Sequence, residues 1–531
     1  MPQYFTELLE RNATSYPEKT AYQFMGTSVT WKHYYDEVQR MTNSFLTMGL
    51  KPGDKVATIL PQTPAFMTIY LAAGQMGLVV VPLDPRFKAT EMINLCNRTE
   101  PKMLVCFAGN ETLKETTKQL LKEIEIPHVF SYMGKLDVPG AKLYEVLLDS
   151  PVELTMPFPP PTLDDPLIII FTSGSTGLPK GGVLTHRNTF AIAKATVETW
   201  GITSDDKMLL NMPTSHVGGT HDMIAVQLYA GASGVISPTF VPAEIPKLIH
   251  EYKVTIIGGV PSMYRLIFQH ATLTDYDLHS LKLLIVSGEP SSPELIHRIQ
   301  TSFPNASVVA SWGMTETSGF FTFTNVGDPV ERITKTEGKP GPEFEMAIMQ
   351  ADGTTATPHG VGEIWVKGDS VIKSYLDTKD NASSFSNGWL KTGDIGYLDE
   401  KNYLHFIGRS KEMYISGGYN VYPMEIETVL NAHPAVNASC IIEVEDETWG
   451  EVGIAFIVPE NEGTLDQDEI VRYCRQELAD YKCPKKVIIQ SDLPKTLIGK
   501  IDKQKIRKSL HQFVEVAGES LHTNKTLAAG E

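Results

Sequence analysis

Short apolar runs of strand length, each running into Gly, Ser or Pro, alternate with longer stretches of helical periodicity through most of the chain. Val56–Leu60, Leu78–Val81, Leu167–Phe171, Val254–Ile257, Leu281–Val286 and Val308–Ser311 are such runs, and Pro64–Met76 and Ser292–Phe303 are helical stretches between them. Runs that are apolar throughout suit strands covered on both faces, which means parallel sheets layered with helices. Such sheets collect their ligands at the strand C-termini. A helix opening on proline, as at Pro64 and just after Ser292, follows the usual rule for a first turn.

From about Asp352 the texture changes to strand and turn, as in Gly362–Lys367 and Tyr403–Ile407. A smaller α+β unit then follows, with helices over Pro423–Ala432 and Asp468–Leu478 and strands over Cys440–Val444 and Ile454–Val458. A chain of 531 residues exceeds what one core supports. The pattern predicts a large region over residues 1–408, a hinge at 409–411, a second domain over 412–517 and a polar, small-residue tail over 518–531.

The charge balance narrows the partners. With 46 basic and 63 acidic residues, a net −17, the chain lacks the basic footprint of a nucleic-acid binder. Small anions remain admissible, because loops and helix ends bind them whatever the total charge. The five cysteines, Cys96, Cys106, Cys440, Cys474 and Cys483, are scattered and form no CxxC pair. They read as reduced thiols, with neither a zinc site nor a disulfide framework. The N-terminal stretch has no apolar signal core, and no apolar run approaches a membrane span, so the expected location is cytoplasmic.

Chemistry concentrates in a few strings. FTSGSTGLPKG (Phe171–Gly181) follows directly on the strand LIIIF. Its glycines and hydroxyls let backbone N–H groups surround phosphate oxygens, and Lys180 adds a charge. It is not a Walker A loop, since Pro179 precedes the lysine and Gly181 stands where Ser or Thr is required. SWGMTET (Ser311–Thr317), LKTGD (Leu390–Asp394), the run Gly408–Glu427 containing GRSKE and SGGYN, and PKTLIGK (Pro494–Lys500) come after it in that order.

Together these strings resemble the five motifs of the adenylate-forming superfamily, which comprises acyl-CoA synthetases, firefly-luciferase-like enzymes and peptide-synthetase adenylation domains. The βαβ pattern and Pro82-Leu-Asp-Pro-Arg86 extend the likeness nearly to the N-terminus. The resemblance implies a large N-terminal region of parallel sheets with helices plus a distorted β-barrel, followed by a small mobile α+β domain. It also implies a reaction, with ATP, Mg2+ and coenzyme A. A carboxylate forms an acyl-adenylate and pyrophosphate, and a thiol then takes the acyl group and releases AMP.

The residue roles follow from that resemblance. Thr172, Ser173, Gly174, Ser175, Thr176, Gly177 and Lys180 would hold the phosphates. Gly288, Glu289, Pro290, Ser311, Trp312, Gly313, Met314 and Thr315 would line the adenine side, with Trp312 where the family often has tyrosine. Glu316, helped by Thr176, would hold Mg2+, which is ordinarily bound by one carboxylate plus substrate oxygens. Asp394 would accept from the ribose and Arg409 would donate to ribose or phosphate, with fourteen residues between them.

His216, Gly218, Gly219 and Gly319 would border the acyl group, with Phe320 and Phe321 suggesting an apolar wall and hence a fatty or aromatic monocarboxylic acid. Lys500 would be the adenylation lysine, Lys411 the hinge, and Ser416, Gly417 and Gly418 the thiol channel. The rival readings are an acyl-AMP ligase loading a carrier protein, an adenylate-using oxygenase and a non-catalytic binder. The last is disfavoured by the retention of Glu316, Asp394, Arg409 and Lys500. Assays with CoA, holo-carrier protein or O2 as sole acceptor separate the others.

Overall fold

The computed structural model describes all residues except 1–3, 154, 173–178, 290, 461–464, 496–500 and 517–531, and the side chains of 511–516. The chain divides into two compact units, residues 1–406 and 407–531.

In the larger unit the apolar runs form two seven-stranded sheets. One has the spatial order Lys142–Leu143, His128–Tyr132, Met103–Phe107, Lys55–Ile59, Val79–Pro82, Pro166–Thr172 and Lys180–Thr185. Its strands pair in parallel except for the last two, which are antiparallel. The other runs Ser307–Ser311, Leu283–Ser287, Ile256–Gly259, Lys207–Leu210, Ser233–Ile236, Thr20–Phe24 and Thr27–Thr30, again parallel except for its last pair.

The helix Pro64–Met76 shows why the two-sided covering works. The Thr63 hydroxyl caps it by accepting from the Phe66 N–H, Pro64 fills the first turn, and Gly77 ends it at φ 73°. Between those signals nearly every side chain is buried, as the apolar sequence requires of a helix with no solvent face. The antiparallel region expected as a distorted barrel is traced as a five-stranded sheet. It contains Glu345–Met349, Gly362–Lys367, Trp389–Leu398, Phe385–Ser386 and the strand Leu404–Arg409, along which the chain leaves this unit.

The smaller unit orders Tyr419–Val421, Tyr414–Ser416, Gly450–Pro459 and Val436–Asp446 in an antiparallel sheet, and Lys486–Ile489 adds in parallel to Gly450–Pro459. Helices Pro423–Asn431, Gln467–Glu477 and Lys503–Val516 accompany it. All five cysteines are unpaired and buried. Burial pushes the Cys96, Cys106 and Cys474 thiols up to about 12, and those of Cys440 and Cys483 upward as well. Among the described residues no helix is long and apolar enough to cross a membrane.

One element has no counterpart in the sequence reading. After a short helical turn at Val217–Gly219, residues Thr220–Ala225 wind as a π-helix before Val226–Ala230 resumes the α form. The wider turn carries His221 and Asp222 into the interior, and both are buried.

Candidate active site

The strand Pro166–Thr172 ends where the sequence places the phosphate loop, and its antiparallel partner begins with that loop's lysine. Thr172 and Lys180 are therefore in register, and the Thr172 hydroxyl donates to the Lys180 carbonyl at 3.4 Å. Ser173, Gly174, Ser175, Thr176 and Gly177 lie outside the described residues, as do Pro290 and Lys500.

The Lys180 ammonium stands 3.4 Å from Asp380 Oδ1 and 4.9 Å from the centre of the Tyr375 ring. The Tyr375 hydroxyl donates to Glu316 Oε1 at 2.8 Å. Burial, then the charge of Glu316, drives the Tyr375 phenol far above its ordinary range, so the ring stays a neutral donor. One tyrosine thus touches the cation of one motif and the carboxylate of another.

Tyr375 belongs to a strap, roughly residues 369–381, to which the sequence reading gave no role. Leu376 N donates to Gly181 O at 2.7 Å, Val183 N to Ser374 O at 3.3 Å, and Ile372 N to Glu316 O at 2.9 Å. The Asn188 amide ties down the carbonyls of Asp369 and Val371 at 2.8 and 3.0 Å. Arg98 fastens the near end of the phosphate loop, donating to Pro179 O at 2.8 Å and to Asp377 Oδ2 at 2.5 Å. No local pattern marks Tyr375 as the partner of a glutamate 59 residues earlier.

A second junction joins Trp312 to Asp394. Both are buried, and the indole Nε1–H donates to Asp394 Oδ2 at 3.2 Å. The Trp312 backbone N–H goes to the Thr322 hydroxyl at 3.0 Å, and that of Asp394 to the Thr392 hydroxyl at 3.0 Å. The tryptophan therefore fixes one carboxylate oxygen through a hydrogen bond that a shorter ring with a terminal hydroxyl would make differently. Ser287 Oγ donates to Ser311 O at 2.7 Å, holding the strand end that leads into Gly288-Glu289 beside the one that leads into Trp312. Nearby, burial and then the charge of Asp394 push the Glu337 carboxyl up to about 7.

On the acyl side His216 caps the turn Val217–Gly219, and its Nδ1 accepts the Gly218 N–H at 3.0 Å. A ring nitrogen that accepts from an amide carries no proton, so a neutral His216 bears its proton on Nε2. The residue before it is held from the PLDPR segment. Ser215 Oγ donates to Asp84 Oδ2 at 2.9 Å, and Arg86 grips the same carboxylate through Nε and Nη2 at 2.8 and 2.7 Å. Burial alone would favour the acid form, but Arg86 and Ser215 hold Asp84 below its ordinary range.

Gly219 is required sterically, because a Cβ there would lie 2.2 Å from Pro213 O. Gly319, at φ 107°, would place a Cβ 2.1 Å from Asp222 Oδ1, which accepts the Phe320 N–H at 3.1 Å. A larger residue at 319 would therefore collide with a buried carboxyl and strain the backbone. Replacing Gly319 tests folding, not the width of a pocket. Phe320 and Phe323 pack edge-on against Trp200, and Phe321 stacks on Phe344 at 5.0 Å.

The smaller unit carries Arg409, Lys411, Ser416, Gly417 and Gly418. Ser416 is buried and pairs with Tyr419, with the two glycines at the turn between them. The Trp449 ring lies against Gly417, whose N–H donates to Trp449 O at 2.8 Å. Trp449 and Tyr419 are exposed, Tyr419 stacks on Tyr481 at 4.6 Å, and Lys485 stands 5.3 Å from the Trp449 ring. No local sequence pattern marks these aromatics.

Among the described residues no group of three or more His, Cys, Asp or Glu side chains could hold a metal ion. The buried Glu316, with one hydrogen bond from Tyr375 among the described residues, suits a hard cation that takes its other ligands from substrate and water.

Residues 9–376 match the family described as AMP-binding enzyme, and residues 425–500 match the AMP-binding enzyme C-terminal domain. A feruloyl-CoA synthase of an Amycolatopsis species is 32% identical over 500 residues, covering 94% of this chain and 97% of the relative. A long-chain-fatty-acid–CoA ligase of Mycobacterium tuberculosis is 30% identical over 505 residues, with the same coverage of 94% and 97%. Among solved structures, o-succinylbenzoate coenzyme A synthetase of Bacillus subtilis in complex with ATP and magnesium superposes with a TM-score of 0.82. It is 26% identical, and the match covers 94% of this chain and 99% of that one.

Proposed function

The chain belongs to the AMP-binding enzyme family, and from that premise we propose that it activates an aromatic or fatty monocarboxylic acid through the residues described above. It is an AMP-forming acid–thiol ligase that uses ATP, Mg2+ and coenzyme A.

The observation that carries the residue assignment is the joining of separate motifs by buried side chains, Lys180 to Tyr375 to Glu316 and Trp312 to Asp394. Both reactants of the first step are anions, so cations and aimed donors must offset their repulsion as the carboxylate oxygen bonds to the α-phosphorus and the bond to pyrophosphate breaks. Lys180, steadied by Asp380 and the Tyr375 face, supplies one charge at the phosphates. Asp394, one oxygen fixed by Trp312, accepts from the ribose, and Arg409 adds a donor. Lys500 donates to the carboxylate and the α-phosphoryl oxygens. Glu316 would hold Mg2+, which when bound would supply positive charge at the phosphate oxygens.

In the second step the thiol sulfur attacks the acyl carbon, the bond to the phosphate oxygen breaks, AMP leaves, and the thiol proton passes to solvent. Torsion at Arg409–Lys411 exchanges the two settings, bringing Lys500 in for the first and Ser416–Gly418 in for the second. The exposed Tyr419 and Trp449 with Lys485 offer flat rings and a cation to a nucleotide-bearing thiol. His216, its proton on Nε2, orients the acid.

The acid class rests on the ferulate and long-chain substrates named for the relatives and on the aromatic packing behind Phe320. A cytoplasmic location suits ATP and coenzyme A as substrates and the five unpaired cysteines. The test is AMP release with CoA across ferulate, indole-3-acetate, octanoate, palmitate and malonate. Turnover with an aromatic or fatty acid is the expected result. Preference for malonate, or formation of ADP, would refute the proposal.

A further inference from the structure

The smaller unit contains a buried charge cluster that no step above uses. Lys503 opens the helix Lys503–Val516, and its ammonium lies 2.9 Å from Glu412 Oε2 and 3.0 Å from Glu427 Oε1. Its side chain is only 18% exposed. Glu427 Oε1 also accepts the Ile441 N–H at 2.7 Å, which anchors the cluster to the sheet. One turn along the helix Arg507 grips Glu443 through two hydrogen bonds of 2.9 and 2.8 Å.

Two chain segments meet here. Glu412 follows Lys411 directly, and its backbone N–H donates to Arg409 O at 3.0 Å. Lys503 comes three residues after Lys500, just past a closed base where Lys495 pairs with Ile501 and Asp502 N donates to Pro494 O at 2.7 Å. A buried ion pair is no better for stability than a well-packed apolar pair, but it fixes a geometry that apolar contacts do not.

We propose that Lys503, held between Glu412 and Glu427, is a positioning residue for adenylation. It locks the segment that follows Lys500 to the residue that follows the hinge, so that a torsion at Lys411 delivers Lys500 to one place. The charges agree with the geometry. Burial opposes the charge of Lys503, but Glu427 and Glu412 outweigh it and hold the lysine protonated. Burial likewise favours neutral Glu412, but Lys503 and then Arg409 keep it ionised. The proposal rests on the reading of Lys500 given above.

The test is single-turnover acyl-AMP formation, with the acid that reacts best in the panel, set beside thioester formation from the chemically made acyl-AMP and CoA. Lys503→Met should slow adenylation by about 10²-fold, the usual cost of misplacing a catalytic group by about 1 Å, and leave thioester formation within about threefold. Lys503→Arg should recover most of the adenylation rate, because it restores the cation. Glu412→Gln, which keeps shape and folding if Lys503→Met does not fold, should lose adenylation alone, by about tenfold. A merely structural role would lower both half-reactions together, and that result overturns the proposal. So does normal adenylation in both Lys503→Met and Glu412→Gln. Lys500→Ala separates the layers. If it adenylates normally, the Lys500 reading falls and takes this proposal with it. If it is slow while the cluster variants are normal, only the cluster's role falls.

Discussion

Buried charge is handled in opposite ways in the two units. In residues 1–406 the Glu316 carboxylate has one hydrogen bond among the described residues, from the neutral Tyr375, and the Lys180 ammonium rests on an aromatic face with Asp380 at 3.4 Å. In residues 407–531 Lys503 is met by two carboxylates at 2.9 and 3.0 Å, and Arg507 and Glu443 close on each other twice. The first arrangement leaves electrostatic work for a ligand to complete. The second completes it internally. Removing a charge should therefore leave stability nearly intact in the larger unit and lower it in the smaller one, whatever each removal does to the chemistry.

The contrast is tested most strongly by Glu316→Gln, which keeps an acceptor for Tyr375 but removes the charge. Adenylation should fall by the order of 10²–10³, as for one preorganised electrostatic group, with the melting temperature unchanged or slightly raised. A stopped-flow measurement of acyl-AMP beside calorimetry checks both halves, and a large loss of melting temperature would erase the distinction.

Lys503→Met is the mirror experiment. It leaves Glu412 and Glu427 facing each other without their cation, which should destabilise the smaller unit by about 3–5 kcal/mol. Urea unfolding followed by hydrogen exchange of peptides from Pro423–Asn431 and Gly450–Pro459 reads that unit, and a loss under about 1 kcal/mol would mean that solvent, not Lys503, balances the two carboxylates.

Tyr375→Phe is subtler, because it deletes one hydroxyl and keeps the ring over Lys180. A hydrogen bond to a charged group is worth about 1.5–3 kcal/mol. The Mg2+ concentration for half-maximal adenylation should therefore rise by about tenfold to 100-fold, while kcat at saturating Mg2+ is mostly kept. Titration of Mn2+ binding in the presence of ATP gives a readout independent of turnover, and no shift there would detach Tyr375 from the Glu316 site.

The smallest expected effect concerns Glu337, whose carboxyl burial and then the charge of Asp394 push up to about 7. Its folded value lies above the unfolded one, so the native state holds a proton that the unfolded chain has released. Stability then falls as pH rises from about 4.5 towards 7. Because the residue keeps some solvent contact, the change is about 1 kcal/mol. Glu337→Gln should remove that slope and be more stable than wild type at pH 8. Identical pH profiles for the two proteins would show that neither burial nor Asp394 shifts the Glu337 carboxyl.

Most of the architecture was legible because its signals are local. The helix Pro64–Met76 is written in its cap, its opening proline and its closing glycine, and the parallel strands in their apolar runs. The motif strings were equally plain. What the sequence did not disclose are side chains that meet across long stretches of chain, such as Tyr375 with Glu316, Trp312 with Asp394 and Lys503 with Glu412. No periodicity encodes such a pair. The π-helix was invisible for a related reason, since THDMIA has no composition that distinguishes it from an α-helical turn, and its winding is settled by Thr189 bonding His221 and by Phe320 N–H bonding Asp222. The acyl-side glycines read as room for a ligand, but at Gly319 the room is occupied by the protein's own carboxyl.

The cysteines offer a way to time the two units separately. Cys96 and Cys106 lie in the larger unit and Cys440, Cys474 and Cys483 in the smaller, all buried with thiols shifted away from the reactive thiolate form. An alkylating reagent can reach them only when the surrounding structure opens. Peptide-resolved labelling over time would therefore record two opening clocks within a single unmodified chain. Adding ATP, acid or CoA in turn would show which ligand slows which clock.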